Sequence, residues 1–495
     1  MEYFQRIMPF SMIIIPLLFA FVLAIFARWK RELCAYLVGA AIAFAFIVSC
    51  ILAGRVFRGE IIRYHVGGWP PPWGIELVID ELGAMLLLLI TGCSLLILLF
   101  SLRSLPKEIP GEATGWYYTI FLLTVTGMAG LAITNDIFNM FVLIEVTGIG
   151  ACGLVVVKGD KLSAEAGLRY LMLATVGSGF FLFGVGFLYQ ITGHLNISAM
   201  AAELAAVREQ YPFLMWTTMS FITVGLGVKA ALFPLHIWLP DTYTSAPSPS
   251  SALLSSLLGK VYIVTLLRIY FLVFSFEVFQ ETHMRDIVLI LASLAILGGS
   301  FFAFVQLNLK RRIAYSTVAQ VGYIFLGFSL GTKWSILAAL LHIIVHALMK
   351  VCLFLAAGAI YYQTGRKKVT QFSGLGYRMP ITMAAFTVAA FSMVGIPLFG
   401  GFISKYGLAV GSLEANNPYF IVLIVISGLL NAAYFFPIVW QAYFTSGHGV
   451  KLELDKVPVT MLIPIVVVAL GILYMGIFPG GTLAFLERAV SRLIL

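Results

Sequence analysis

The chain has 495 residues, of which 61% are hydrophobic and only 11% charged, with a formal net charge of +9. Soluble domains carry about 25% charged residues, so a chain this long and this apolar is excluded as a soluble enzyme and reads as a polytopic membrane protein. The positive balance does not point to nucleic acid, because the basic residues fall mostly in short gaps between apolar runs.

A membrane span needs about 20 apolar residues. On that ruler the chain predicts about fourteen helices. The first, near 9–27, is followed by Arg28, Lys30 and Arg31 and not by a small-residue cleavage site, so it is expected to be a span and not a removable leader. A second follows near 33–53. The stretch "RYHVGGWPPPWGIELVID" then interrupts the pattern with Gly-Gly and a triple proline, and predicts a β-hairpin or re-entrant cap. Helices near 81–102, 116–133, 136–157 and 166–190 come next, then a loop with a short amphipathic helix at 201–209. The remaining spans fall near 213–233, 251–274, 286–307, 312–330, 336–361, 380–411, 418–444 and 459–479. Two of them are interrupted, at "GVKAALFPLHIWLPD" by Pro234 and at "FSMVGIPLFGGFISKYG" by Pro397.

One set of alternate loops holds seventeen Lys and Arg, and the other loops and the termini hold nine. The richer set is expected on the cytoplasmic side of the cell membrane, with both termini outside. The two interrupted segments occupy matching places in two runs of five helices, which points to an inverted repeat with a site near the membrane midplane. The expected division is 1–115 for the first three helices and hairpin, 116–274 and 275–444 for the two repeats, and 445–495 for the last helix.

Ionisable side chains inside spans are costly and are kept where they pair, line water or move ions. Glu145 lies mid-helix in "FNMFVLIEVTGIG", and Lys229 precedes the first break. An amine beside a carboxylate holds its proton more firmly than one left alone, so a Glu–Lys pair of variable separation is a proton switch. The bland alternatives are a helix-tying ion pair and a lysine that snorkels to the interface. Pro234 is expected to open the helix beside Lys229. His236 and Asp241 lie just beyond and either pass protons or cap exposed backbone.

Lys260 is the next membrane lysine. His342, His346 and Lys350, spaced four residues apart, share one helical face about 12 Å long and read as a proton wire. Haem ligation is disfavoured, since two histidines on one face cannot take opposite sides of one iron. Lys405 closes the series after the second break. Asp136 reads as a helix cap first and an ion-access residue second. The five cysteines form no CxxC pair, and no metal or cofactor site is expected.

With these residues in view, the sequence resembles the antiporter-like subunits shared by respiratory complex I, the Mrp cation/proton antiporters and membrane-bound hydrogenases. The likeness is carried by "NMFVLIE", "GVKAALFPLHIWLPDTYTSAPSPSSALLSSLLGK", "LKRRIAYSTVAQVGY", "HIIVHALMK" and "GIPLFGGFISKY". The resemblance implies an all-α fold of fourteen transmembrane helices in two inverted five-helix repeats, with the seventh and twelfth helices broken. It also implies a Glu–Lys pair and a membrane-plane chain of lysines and histidines that moves protons. Glu145, Lys229, Lys260, His342, His346, Lys350 and Lys405 fall on those positions. Lys405, where some members carry glutamate, and the "GGWPPPWGI" cap look most like the D-type component of Mrp antiporters.

The expected function is therefore proton translocation by one subunit of a multisubunit membrane complex, coupled to sodium/proton antiport or to a redox module. Its partners would be homologous and small hydrophobic membrane subunits. Two competitors stand beside it: an independent secondary transporter of an organic solute, and a structural subunit that does not conduct.

Overall fold

The computed structural model describes residues 2–28, 31–445 and 455–494. Lys30 and Lys451, two of the loop cations counted above, lie outside them. The chain opens with α1 (Glu2–Phe26) and α2 (Arg31–Phe57), then the expected hairpin, in which β1 (Ile62–His65) pairs antiparallel with β2 (Glu76–Ile79). Side chains of the loops start the next helices. Asp80 accepts from Gly83 N at 2.7 Å to cap α3 (Glu81–Glu108). Helix α4 (Thr114–Ile133) follows, and Asp136 and Asp160 cap α5 (Ile137–Val156) and α6 (Lys161–Thr192) in the same way. The short amphipathic helix is α7 (Ile197–Val207).

The first interrupted segment consists of α8 (Pro212–Ala230) and α9 (Leu239–Ser245). The next span, 248–273, is continuous but not uniform. It contains α10 (Ser248–Leu253), a π-turn at Leu254–Leu258, α11 (Gly259–Arg268) and a second π-turn at Ile269–Val273. Nothing in the sequence announces these π-turns. After α12 (Phe276–Glu281) come α13 (His283–Phe304), α14 (Leu309–Leu330) and α15 (Lys333–Thr364). The short α16 (Leu375–Arg378) leads to the second interrupted segment, α17 (Pro380–Val394) and α18 (Gly400–Glu414). Helices α19 (Tyr419–Phe444), α20 (Val459–Ile477) and α21 (Gly480–Ile494) complete the chain.

Among the described residues, thirteen helices are long and apolar enough to cross a membrane. The remaining expected span is the two-piece α17/α18. The protein is thus an all-α polytopic membrane protein of the predicted kind. Helix α15 is its axis: 94% of its apolar window is buried, against 33% for α19 at the periphery. It packs against α14, α17, α18 and α20. The series of ionisable groups expected on α15 therefore sits in the centre of the protein, away from lipid.

Candidate functional site

Both breaks are built the same way. Helix α8 ends at Ala230, and Ala231 takes a left-handed conformation (φ 58°). The Leu232 N–H then bonds Gly227 O at 2.9 Å and the Ala231 N–H bonds Val228 O at 3.2 Å. Helix α17 ends at Val394, with Gly395 left-handed (φ 93°), and Ile396 N and Gly395 N bond Phe391 O and Ser392 O at 3.1 Å each. This is the Schellman closure in both places. Pro234 and Pro397 lie in the linkers beyond, so the sequence expectation that Pro234 itself opens the helix is corrected. The helix has already turned off three residues before the proline.

A lysine ammonium stands at the C-terminal end of each first half, where the helix dipole favours a cation. Lys229, in the last turn of α8, is 2% exposed. It reaches the Glu145 carboxylate of α5 at 3.4 Å. The approach depends on Gly148, because a side-chain carbon there would lie 3.0 Å from the Lys229 Nζ. Lys405 comes from the far side of the second break, on α18, and donates to Met393 O at 2.7 Å and Val394 O at 3.0 Å, the last carbonyls of α17. The two lysines are not equivalent by position. The residue that matches Lys229, two before the left-handed turn, is Met393.

The Glu145 carboxylate also accepts from Ser178 Oγ of α6. Its side chain is 31% exposed on the bare chain. From this pair a hydroxyl leads inward. Thr147, two residues beyond Glu145, bonds the hydroxyl of Tyr262 at 2.8 Å, and Tyr262 lies two residues beyond Lys260 on α11. Lys260 is buried and donates to Ser255 O inside the first π-turn.

On α15 the rings of His342 and His346 stack at 5.8 Å, and all three predicted groups are fully buried. His342 Nδ1 bonds Ser404 Oγ at 2.8 Å, one residue from Lys405. Lys350 donates to Ile313 O at 2.8 Å and Ser316 Oγ at 2.7 Å. Both ring nitrogens of His346, Nε2 of His342 and the amide of Gln320 are buried with no hydrogen-bond partner among the described residues. Buried polar atoms are rarely left so, and these are donors and acceptors open to a proton carrier.

Space does not follow chain order at the far end. His342 stands beside Lys405, whereas Lys350 lies two helical turns away. A second polar path leads away from Lys405. At its inner end the Tyr434 hydroxyl donates to Asn431 Oδ1 at 2.6 Å. Asn431 Nδ2 donates to Met393 O at 3.1 Å, the same carbonyl that Lys405 uses. Sequence reasoning missed Ser178, Thr147, Tyr262, Ser316, Ser404, Asn431 and Tyr434.

The remaining predicted residues have plainer settings. Asp136 accepts from Asn139 N at 2.7 Å as a cap, and it lies nine residues from Glu145. Burial pushes its carboxyl above the ordinary value, and the N–H groups of Asn139 and Phe138 only partly offset this. His236 is buried in the first linker, stacked on Phe233, with Nδ1 unpartnered among the described residues. Asp241 pairs with Arg169 at 3.1 Å and Arg311 at 3.2 Å on the face that carries the basic loops.

Thirteen spans, a fourteenth in two pieces and a central row of buried lysines and histidines define an antiporter-like, polytopic membrane protein. The sequence model described as NADH:quinone oxidoreductase/Mrp antiporter, TM matches residues 134–431, and the chain belongs to that family. It is 38% identical over 485 residues to the N-type component of the NADH-quinone oxidoreductase of Desulforudis audaxviator, covering 95% of this chain and 96% of that one. It is 31% identical over 418 residues to the D-type component of the Na(+)/H(+) antiporter of Bacillus subtilis, covering 84% and 83%. Its fold matches a chain of the membrane-bound sulfane sulfur reductase, an archaeal respiratory membrane complex, with a TM-score of 0.90 and 29% identity, covering 98% of this chain and 97% of that chain. The resemblance read from the motifs is therefore correct at the level of the family. Relatives of the N type and of the D type both fall within it.

Proposed function

We propose that this protein conducts protons as one subunit of a multisubunit membrane complex, along Glu145, Lys229, Lys260, His342, His346, Lys350 and Lys405. The observation that carries the reading is the row of buried ionisable groups running from one broken helix, through the central helix, to the other. Bare charges in such a place cost several kcal/mol each and persist where they move ions. The names of the relatives, an antiporter subunit and a quinone oxidoreductase subunit, support the same reading. A proton on Lys229 is held while Glu145 is close, and is passed toward Lys260 when the pair separates. The hydroxyls of Thr147 and Tyr262 supply intermediate positions, and the open nitrogens of His346 and His342 carry it on.

The ends of the path are half-channels. His236 and Asp241 line the one beside the first break, and Asp136 stands at the opposite face. The basic loops lie on the cytoplasmic side of the cell membrane, and both termini lie outside. Residues 116–274 and 275–444 form two inverted repeats, and their like-built breaks support this division. The proton movement is coupled to sodium/proton antiport or to a redox module carried by other subunits.

The test is Lys229→Ala in the intact complex, reconstituted in vesicles. Proton movement is expected to fall at least about a hundredfold, the order of a lost proton carrier. Unchanged transport would sink the reading. Co-purification tells the two couplings apart, since iron–sulfur subunits mark a redox-driven complex and small hydrophobic subunits alone mark an antiporter.

A further inference from the structure

A cavity of about 530 Å³ lies on the basic face, between the ends of α3, α6, α9, α14 and α15. Seven of its lining residues are Lys or Arg and three are acidic, which leaves an excess of four positive charges around one concavity. The acids are already engaged. Asp241 serves Arg169 and Arg311, and Glu165 pairs with Lys161 outside the cavity at 3.8 Å. Glu108 accepts from the N–H and Oγ of Ser248 at 2.8 and 3.0 Å, with Lys310 at 3.8 Å.

Three cations have no carboxylate partner among the described residues. Lys107 donates to Tyr362 O at 3.2 Å and sits 3.6 Å over the Tyr362 ring. Lys367 lies 5.0 Å over the ring of Tyr361, and Arg366 donates to Gln371 O at 2.7 Å. A second cavity, of about 340 Å³, adjoins the first and shares Lys107, Tyr361 and Lys367. The Lys107–Lys367 pair thus stands between two concavities. Like charges that converge in a hollow, with the acids beside them used up, call for a counter-charge from outside the chain.

We propose that this hollow binds a phosphate-bearing anion, with Lys107 and Lys367 as its principal contacts. Ammonium and guanidinium donors match the oxygens of a phosphate. The volume lies in the range of sites that hold small ligands. Leu162 and Ala357 add an apolar wall suited to the carbon part of a phosphate ester. Two sources share this chemistry: the headgroup of an anionic phospholipid, which basic hollows between membrane helices recognise, and a soluble phosphate.

The test uses the protein purified with its partner subunits, stripped of bound lipid and placed in phosphatidylcholine nanodiscs. One arm titrates cardiolipin or phosphatidylglycerol and the other inorganic phosphate or pyrophosphate, with binding read by native mass spectrometry and calorimetry. Saturable binding in the lipid arm alone assigns a headgroup, and in the soluble arm alone a free phosphate. Either supports the proposal. Lys107→Gln with Lys367→Gln is expected to weaken binding about twenty-fivefold, at about fivefold per surface lysine. Arg378→Gln, the loss of one exposed charge from the basic loops but outside the hollow, is expected to leave it unchanged. Lys107→Arg with Lys367→Arg keeps the charge and is expected to retain binding, which guards against a merely misfolded variant. No saturable binding in either arm, or an equal loss in Arg378→Gln, overturns the proposal.

Discussion

Tyr434 lies 29 residues from Lys405 in sequence, yet its hydroxyl bonds Asn431, which shares the Met393 carbonyl with Lys405. If protons reach or leave Lys405 by this path, Tyr434→Phe removes the shorter of the two hydroxyl contacts to Asn431, since Ser300 Oγ lies at 3.4 Å. Transport by the complex is expected to drop about tenfold, the order of one lost hydrogen bond to a proton carrier, with assembly unchanged. Measured rates equal to wild type would leave the histidine face as the only far-side path. The contrast between found and missed residues has a physical cause. Lys229, Lys260 and Lys405 stand out because a charge in an apolar run is expensive. A hydroxyl costs little there, since it can bond a carbonyl one turn back, as Thr126 does to Leu122 O at 2.7 Å. Ser178 and Thr147 look the same in sequence as that structural threonine, and their partners lie 33 and 115 residues away.

The breaks were legible at the scale of the element, but not their construction. Two prolines in apolar runs marked where α8 and α17 fail to continue. The helices actually end in left-handed residues upstream, one of them a non-glycine. Ala231 therefore carries a strain that Gly395 does not. Ala231→Gly is expected to raise stability by up to about 1 kcal/mol. Gly395→Ala is expected to lower it by at least as much, because its new carbon would also lie 2.9 Å from Lys405 Cδ. Thermal melting of the purified protein in detergent checks both, and shifts of the same sign in the two variants would contradict this account. The π-turns around Lys260 left no trace in the sequence, because π and α segments draw on the same apolar residues.

At the scale of the whole molecule, the hairpin is tied into the bundle. Glu76 on β2 accepts from Asn135 at 2.7 Å, Asn196 at 3.0 Å and Arg63 at 2.9 Å, so one carboxylate gathers the starts of α5 and α7. Burial pushes this carboxyl up, but the two asparagines and Arg63 outweigh it and hold it below its ordinary value of 4.5. A depressed value means stability that is fully present above the ordinary value and lost as pH falls through the lower one. Melting temperature is therefore expected to decline below about pH 4.5, and Glu76→Gln is expected to be less stable at neutral pH and to lose part of that decline. A parallel pH curve for variant and wild type would show that the carboxylate is not the acid-sensitive group. The hairpin itself was read from its Gly-Gly and prolines. Its anchor was not, because Glu76 is one acid in a polar loop until the fold brings two asparagines to it.

On this same face α21 lies across the bundle. Arg492 pairs with the buried Glu81 of α3 at 3.1 Å, Glu487 with Lys333 at the start of α15, and Arg488 donates to Phe57 O of α2 at 2.8 Å. One helix thus pins the neighbouring α2 and α3 to the distant α15. The basic face is clasped as well, since Asp241 of α9 joins Arg169 of α6 to Arg311 of α14 and Lys107 of α3 reaches Tyr362 O of α15. The bundle is thus hooped at both ends like a barrel, with Glu145 and Lys229 held between the hoops.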